Sequence, residues 1–145
     1  MTDPIERKTG LRLWLILLGI TLFFWLGKED SDVVAVTALG LTLAATAVWR
    51  LTFLRRHIDF TATGKFALQH GILAGICLGA LSSLFAALLM LLKDVRHAHV
   101  FPDYPPELIM ATLERMPAWS LAGGLIGLGL SLLCRVCLGA QGRKS

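Results

Sequence analysis

Four long stretches of apolar residues are the strongest constraint on how this 145-residue chain can fold. They cover about 11–27, 33–52, 66–92 and 118–138, and charged residues fall near their ends rather than in their middles. A bilayer core about 30 Å thick is crossed by roughly 20 apolar residues in an α-helix. The pattern therefore predicts an all-α integral membrane protein, with four transmembrane helices in one bundle. We expect residues 1–145 to form this single domain, with no separate soluble domain.

The composition argues against an ordinary soluble domain. Apolar residues make up 55% of the chain and charged residues 17%, and the mean hydropathy is +0.67. Soluble domains are about 45–50% apolar, with about a quarter of their residues charged. A signal peptide is the rival interpretation of the first stretch, but the residues around Trp25 and Lys28 offer no small-residue cleavage site. We expect this stretch to be a retained helix.

The four tryptophans stand at the ends of the apolar stretches. They are Trp14, Trp25, Trp49 and Trp119. Indole favours the membrane–water interface, where its ring is half buried and its N–H can find a partner. Their placement therefore supports the same four spans.

The basic residues predict the orientation of the chain. Ten of the fourteen lysines and arginines fall in residues 7–12, 50–65 and 135–144, which four alternating spans place on one side of the membrane. The positive-inside rule puts that side in the cytoplasm. We expect an inner-membrane protein with both termini cytoplasmic. Attraction to anionic lipid explains the net charge of +4 better than nucleic acid does, and no nucleic-acid partner is expected.

Small residues recur every four positions on three of the predicted helices. The third helix has Gly71, Gly75, Gly79, Ser83 and Ala87, the fourth has Gly123, Gly127 and Ser131, and the second has Ala38, Thr42 and Thr46. Such stripes let the backbones of membrane helices approach closely. They predict packing between the third and fourth spans within one subunit, or self-association of the chain through the glycines.

The connection at residues 93–118 is long and individual in sequence. Pro105 and Pro106 can open a short helix that Pro117 closes, with Ile109 and Leu113 among the residues on its apolar face. We predict a short amphipathic helix here, between the third and fourth spans. It would lie on the outer membrane surface or cap the bundle.

Three residues of this connection are weak candidates for metal binding. His97, His99 and Asp103 supply the ligand types that zinc uses. In extended backbone His97 and His99 would point to the same side, whereas on a helix they would not. Loose clusters of this kind are common in loops, so no metal and no cofactor are predicted.

A second candidate is the pair Cys134 and Cys137, whose spacing suits a redox site or half of a zinc site. No second cysteine pair accompanies it in the sequence. Two cysteines at ordinary helical positions are the simpler interpretation.

The sequence contains no catalytic motif that identifies a reaction. Our leading hypothesis is a non-catalytic protein that acts by contacts, as an accessory or assembly subunit of a membrane complex or as a homo-oligomer. The expected partners are the lipid bilayer and another membrane protein or a second copy. The alternatives are a small transporter or channel with a pore between subunits, and a membrane-bound metal-dependent enzyme that uses the 93–118 connection.

Overall fold

The computed structural model describes the backbone of residues 4–28, 31–55, 65–97 and 102–141. Side chains are described for residues 9–28, 31–52, 68–96 and 102–136. Within these ranges the regular structure is entirely helical. The helices are α1 (Pro4–Leu26), α2 (Val33–Arg55), α3 (Lys65–His97), α4 (Pro106–Glu114) and α5 (Met116–Gln141).

Four segments of the described chain are long and apolar enough to cross a membrane. They are Thr9–Leu26, Val33–Thr52, Leu68–Arg96 and Pro106–Val136, the last of which includes α4 and most of α5. This confirms the prediction of a helical chain with four helices that could span a bilayer.

The helix boundaries differ from the predicted ones around the 93–118 connection. α3 continues to His97, five residues beyond its predicted end. α4 ends at Glu114, so Pro117 does not close it and lies instead in the first turn of α5. Proline is tolerated there because the first N–H groups of a helix have no intrahelical partner.

α3 and α5 approach so closely that backbone touches backbone. A Cβ atom added at Gly75 would overlap the carbonyl oxygen of Gly123, and one added at Gly123 would overlap that of Gly75. The same holds for Gly127 against the carbonyl of Gly71, and for Gly79 against that of Trp119. Each step of four residues forward on α3 therefore matches a step of four backward on α5, so the two helices are antiparallel. We call these contacts the glycine seam.

α2 packs on another side of α3, also through small residues. A Cβ at Gly40 would lie 2.8 Å from the backbone nitrogen of Ala86 and 2.9 Å from the carbonyl oxygen of Ser82. Val36 and Ala44, one turn before and after Gly40, are fully buried. The sequence-based expectation that Ala38, Thr42 and Thr46 form the packing stripe of α2 is therefore wrong for this contact.

α1 lies further from its neighbours than the other helices do. The backbone of α3 lies close to those of α5, α2 and α4, and the backbone of α4 also lies close to that of α5. Among the described side chains of α1, Leu18 and Trp25 are the buried ones. We call the end of the molecule where α1 ends and α2 begins the cap end. The opposite end is the terminal end.

The glycine seam generates a prediction for stability. Gly123→Ala forces a methyl group against the carbonyl of Gly75, and overpacking of this kind costs about 1–3 kcal/mol. We expect the midpoint of thermal unfolding in detergent to fall by at least about 3 °C.

Gly129→Ala is the matched control, because it lies on the same helix and a Cβ there would meet nothing within 4 Å. It should leave the midpoint unchanged or raise it slightly. Equal midpoints for the two variants would contradict backbone contact at Gly123.

Candidate functional site

A small core joins the helix ends at the cap end, and we call it the cap cluster. It consists of Trp25, Val36, Met90, Lys93, Tyr104 and Ile109. These residues come from α1, α2, α3, the segment before α4, and α4 itself. Four helices and one connecting segment thus have to be in place before this core can form.

Lys93 is the most unusual member of the cap cluster, because it is fully buried. Its Nζ lies 4.9 Å from the centroid of the Trp25 ring and 5.7 Å from that of the Tyr104 ring. A cation within about 6 Å of an aromatic face is attracted by the electron density of the ring. In the sequence, Lys93 is the first residue of the 93–118 connection and lies on the side opposite to the ten clustered basic residues, where a charge facing water is expected. The structure instead packs its side chain between the end of α1 and the segment before α4.

Trp25 accordingly differs from the other three tryptophans. Trp14, Trp49 and Trp119 are 44–49% exposed, whereas Trp25 is 9% exposed. The ring of Trp25 is covered by Lys93 and by surrounding apolar side chains, so it is not the half-buried ring that was expected at the end of an apolar stretch.

Tyr104 is held at both ends, by Asp94 of α3 and by Asp32, which directly precedes α2. Its backbone N–H donates to Oδ1 of Asp94, at 2.9 Å, one residue after Lys93 on α3. Its hydroxyl donates to the backbone oxygen of Asp32, at 3.3 Å. The side chain of Asp32 accepts the backbone N–H of Val34, at 2.8 Å, and so caps the start of α2. Tyr104 therefore links the start of α2 to the end of α3.

α4 packs across the cap cluster with one face. Ile109 is buried, Leu108 and Leu113 pack against the cluster, and the hydroxyl of Thr112 lies 3.9 Å from the Met90 sulfur. The opposite face carries Glu107, Met110 and Glu114, which are exposed.

The three weak candidates for metal binding are only partly described by the structure. His97 is the last residue of α3, so its backbone is helical rather than extended. Asp103 is partly buried, and His99 lies outside the described residues. Within the described ranges no three His, Cys, Asp or Glu side chains are grouped closely enough to hold a metal ion.

Of the CxxC pair, Cys134 is an exposed free thiol on α5. The side chain of Cys137 lies outside the described residues, so the pair cannot be placed as a site.

The predicted packing residues divide into two groups. The seam brings together Gly71, Gly75, Gly79, Gly123 and Gly127. Ser83 lies further towards the cap end and is buried.

A hollow separates α1 from α2 in the half of the molecule near the terminal end. Its volume is about 600 Å³, and it is lined by Gly10, Leu11, Trp14, Leu41, Thr42, Ala45, Thr46 and Trp49. A hydrogen bond crosses it, from the Nε1–H of Trp14 to Oγ1 of Thr46, at 3.2 Å. We call this hollow the α1–α2 groove.

Neither family models, nor curated proteins, nor solved structures gave a match to this chain. The cap cluster encloses Lys93 completely, so it acts as a clamp rather than as a place where a substrate reaches an amine. The α1–α2 groove is open and mostly apolar, which suits a long apolar ligand or another helix.

The clamp can be tested by removing its charge. Lys93→Met keeps an unbranched side chain, one atom shorter, but loses the attraction of the ammonium to both rings, and we expect a loss of about 1–2 kcal/mol in the free energy of unfolding. Urea or thermal unfolding of the purified protein in detergent measures it.

Arg96→Met is the control on the same helix, because Arg96 is exposed although it lies 5.8 Å from the Phe23 ring. Its effect should be much smaller. Combining Lys93→Met with Trp25→Leu should cost less than the sum of the single changes, since both remove one interaction. Strict additivity would show that the Lys93–Trp25 contact contributes nothing.

Proposed function

We propose that this chain is a multi-pass protein of the inner cell membrane that works through contacts with other membrane proteins. In this proposal α1, α2, α3 and α5 cross the bilayer as a four-helix bundle, and α4 lies at the outer surface. The chain serves as an accessory or assembly subunit of a larger complex, or as a homo-oligomer.

The orientation rests on the distribution of charge. The ten basic residues of the terminal segments and the 50–65 region would lie on the cytoplasmic side. The cap end would then face outwards, with Glu107 and Glu114 of α4 exposed there. Three half-exposed tryptophans, Trp14, Trp49 and Trp119, suit positions at the two interfaces.

The observation that carries the contact function is the unpacked surface of α1. In its span 6% of the residues are buried, against 33% in the span of α3. One broad face of α1 presents large apolar side chains. They are Leu13, Ile16, Leu17, Ile20, Phe23 and Phe24, all between 48% and 63% exposed except Phe24, at 72%. We call this the outer face of α1.

The association of helices in lipid depends on close packing, because the hydrophobic effect supplies no driving force between helices there. α3 and α5 satisfy this requirement within the chain through the glycine seam. The described residues of α1 form no such seam, so its outer face is available to another protein. Phe23 and Phe24 stand edge to face, with ring centroids 6.3 Å apart, near the cap end of this face. Paired aromatic rings of this kind are frequent anchors of protein interfaces.

The contact function predicts that one aromatic side chain on α1 matters more than an equally exposed side chain on α5. Phe24→Ala should weaken association at least about tenfold, as expected for a central aromatic anchor. Leu125→Ala, at a residue 69% exposed against 72% for Phe24, should leave association unchanged.

The measurement is purification of the tagged chain from native membranes in mild detergent, followed by native mass spectrometry. A complex with larger subunits or with further copies supports the proposal, and the masses identify which form it takes. A wild-type chain that purifies only as a monomer would contradict the proposed contact function.

The orientation is tested separately by labelling. Met110 is 57% exposed on α4, so Met110→Cys, with Cys77, Cys134 and Cys137 replaced by alanine, should react with an impermeant maleimide added outside intact cells. A cysteine placed after Ser145 should react only once the membrane is permeabilised. The reverse pattern would invert the assignment.

A further inference from the structure

We propose that the α1–α2 groove binds one anionic phospholipid, with an acyl chain inside the groove and the phosphate among the basic residues at the terminal end. This site differs from the outer face of α1, and it depends only on the chain being in a membrane. Three features of the groove support the proposal: its volume, the apolar character of its walls, and the positive charge at its mouth.

The space exists because small residues on both helices are left without a neighbour. Gly10 on α1 and Ala45 on α2 line the groove, and a Cβ at Gly10 would meet nothing within 4 Å. In the glycine seam equally small residues bring two backbones into contact, whereas here they leave about 600 Å³ between the helices. That volume lies within the range of about 300–1,000 Å³ that is usual for ligand sites.

The walls suit a hydrocarbon chain. Leu11, Trp14, Leu41 and Trp49 supply large apolar surfaces. The hydroxyls of Thr42 and Thr46 donate to carbonyls of their own helix, at 2.7 and 2.8 Å. Their donors are therefore satisfied without a hydrogen bond from a ligand. Because an empty hollow forfeits dispersion contacts along its whole lining, an acyl chain in it would stabilise the pair of helices.

The mouth of the groove favours a negative charge. Arg12 directly follows the groove residue Leu11, Arg50 directly follows the groove residue Trp49, and both arginines are exposed. Across residues 1–12 and 50–56 the sequence has six lysines and arginines against two acidic residues, Asp3 and Glu6. This charge complementarity selects an anionic lipid over a neutral one, and over an apolar helix of another protein.

The test uses the full-length protein purified in detergent, with phosphatidylglycerol or phosphatidylcholine of matched acyl chains added, and native mass spectrometry to count bound lipid. We expect one phosphatidylglycerol to be retained in preference to phosphatidylcholine. Each of Arg12→Gln and Arg50→Gln should reduce that preference about fivefold, since one basic residue near an anionic lipid contributes on the order of 1 kcal/mol. These variants change exposed side chains and leave the packed parts of the chain intact.

Gly10→Leu fills the groove and should abolish retention of the lipid. Gly19→Leu is its matched control, because Gly19 lies on the same helix, has nothing within 4 Å of an added Cβ, and does not line the groove. It should retain the lipid as the wild type does. Melting curves of the two variants show whether both remain folded.

Three results would overturn the proposal. The first is equal retention of phosphatidylglycerol and phosphatidylcholine by the wild type, and the second is an unchanged preference in both arginine variants. The third is a folded Gly10→Leu variant that keeps the lipid, or that loses a co-purifying protein instead, which would assign the groove to a helix.

Discussion

The contact between the backbones of α3 and α5 determines how the other helices can be arranged. Because Gly75 and Gly123 have no side chains, each lets the other helix come within reach of its carbonyl oxygen. At this distance Cα–H groups can point at those oxygens, a weak interaction that recurs along close helix pairs. α3 then offers a different side, at Ser82 and Ala86, to α2. With both sides of α3 occupied, α1 is left at the edge of the structure.

α1 is attached mainly where polar and aromatic groups meet at the cap end. Trp25 covers Lys93 there, and Tyr104 connects the two helices that flank it through Asp32 and Asp94. Towards the terminal end α1 is separated from α2 by the groove, which the Trp14–Thr46 hydrogen bond crosses. The cap cluster and the groove are therefore two consequences of one arrangement: a peripheral helix joined firmly at one end and loosely at the other.

Hydropathy was sufficient to predict the helices that could span a membrane, because that property depends on local composition over about 20 residues. The glycines of α3 and α5 were singled out by their spacing of four residues, which is visible within each helix. Spacing did not show that α2 would present Gly40 and Ala44 rather than Thr42 and Thr46. Both sets have helical spacing, and the choice between them depends on which neighbour each face meets.

The cap cluster was missed for a similar reason. Lys93 follows a long apolar run, and in sequence it looks like any charge that ends a transmembrane helix. Its aromatic partners, Trp25 and Tyr104, lie 68 residues earlier and 11 residues later in the chain. No local sequence pattern therefore predicts the contact. The extension of α3 to His97 has the same origin, because the bond from Tyr104 to Asp94 lies beyond the predicted end of the helix.

The regular spacing of the seam has a consequence for the register of α5 along α3. A shift of α5 by one helical turn, about 5.4 Å, would bring Gly75 opposite Gly127 and Gly79 opposite Gly123, so glycine would again face glycine. The seam therefore determines the distance between the two helices, but it is compatible with more than one register of α5 along α3. The position is chosen elsewhere, at the cap end, where α4 leads directly into α5 and is fixed by Ile109 and Tyr104. The contacts of the cap cluster therefore determine the register of the glycine seam.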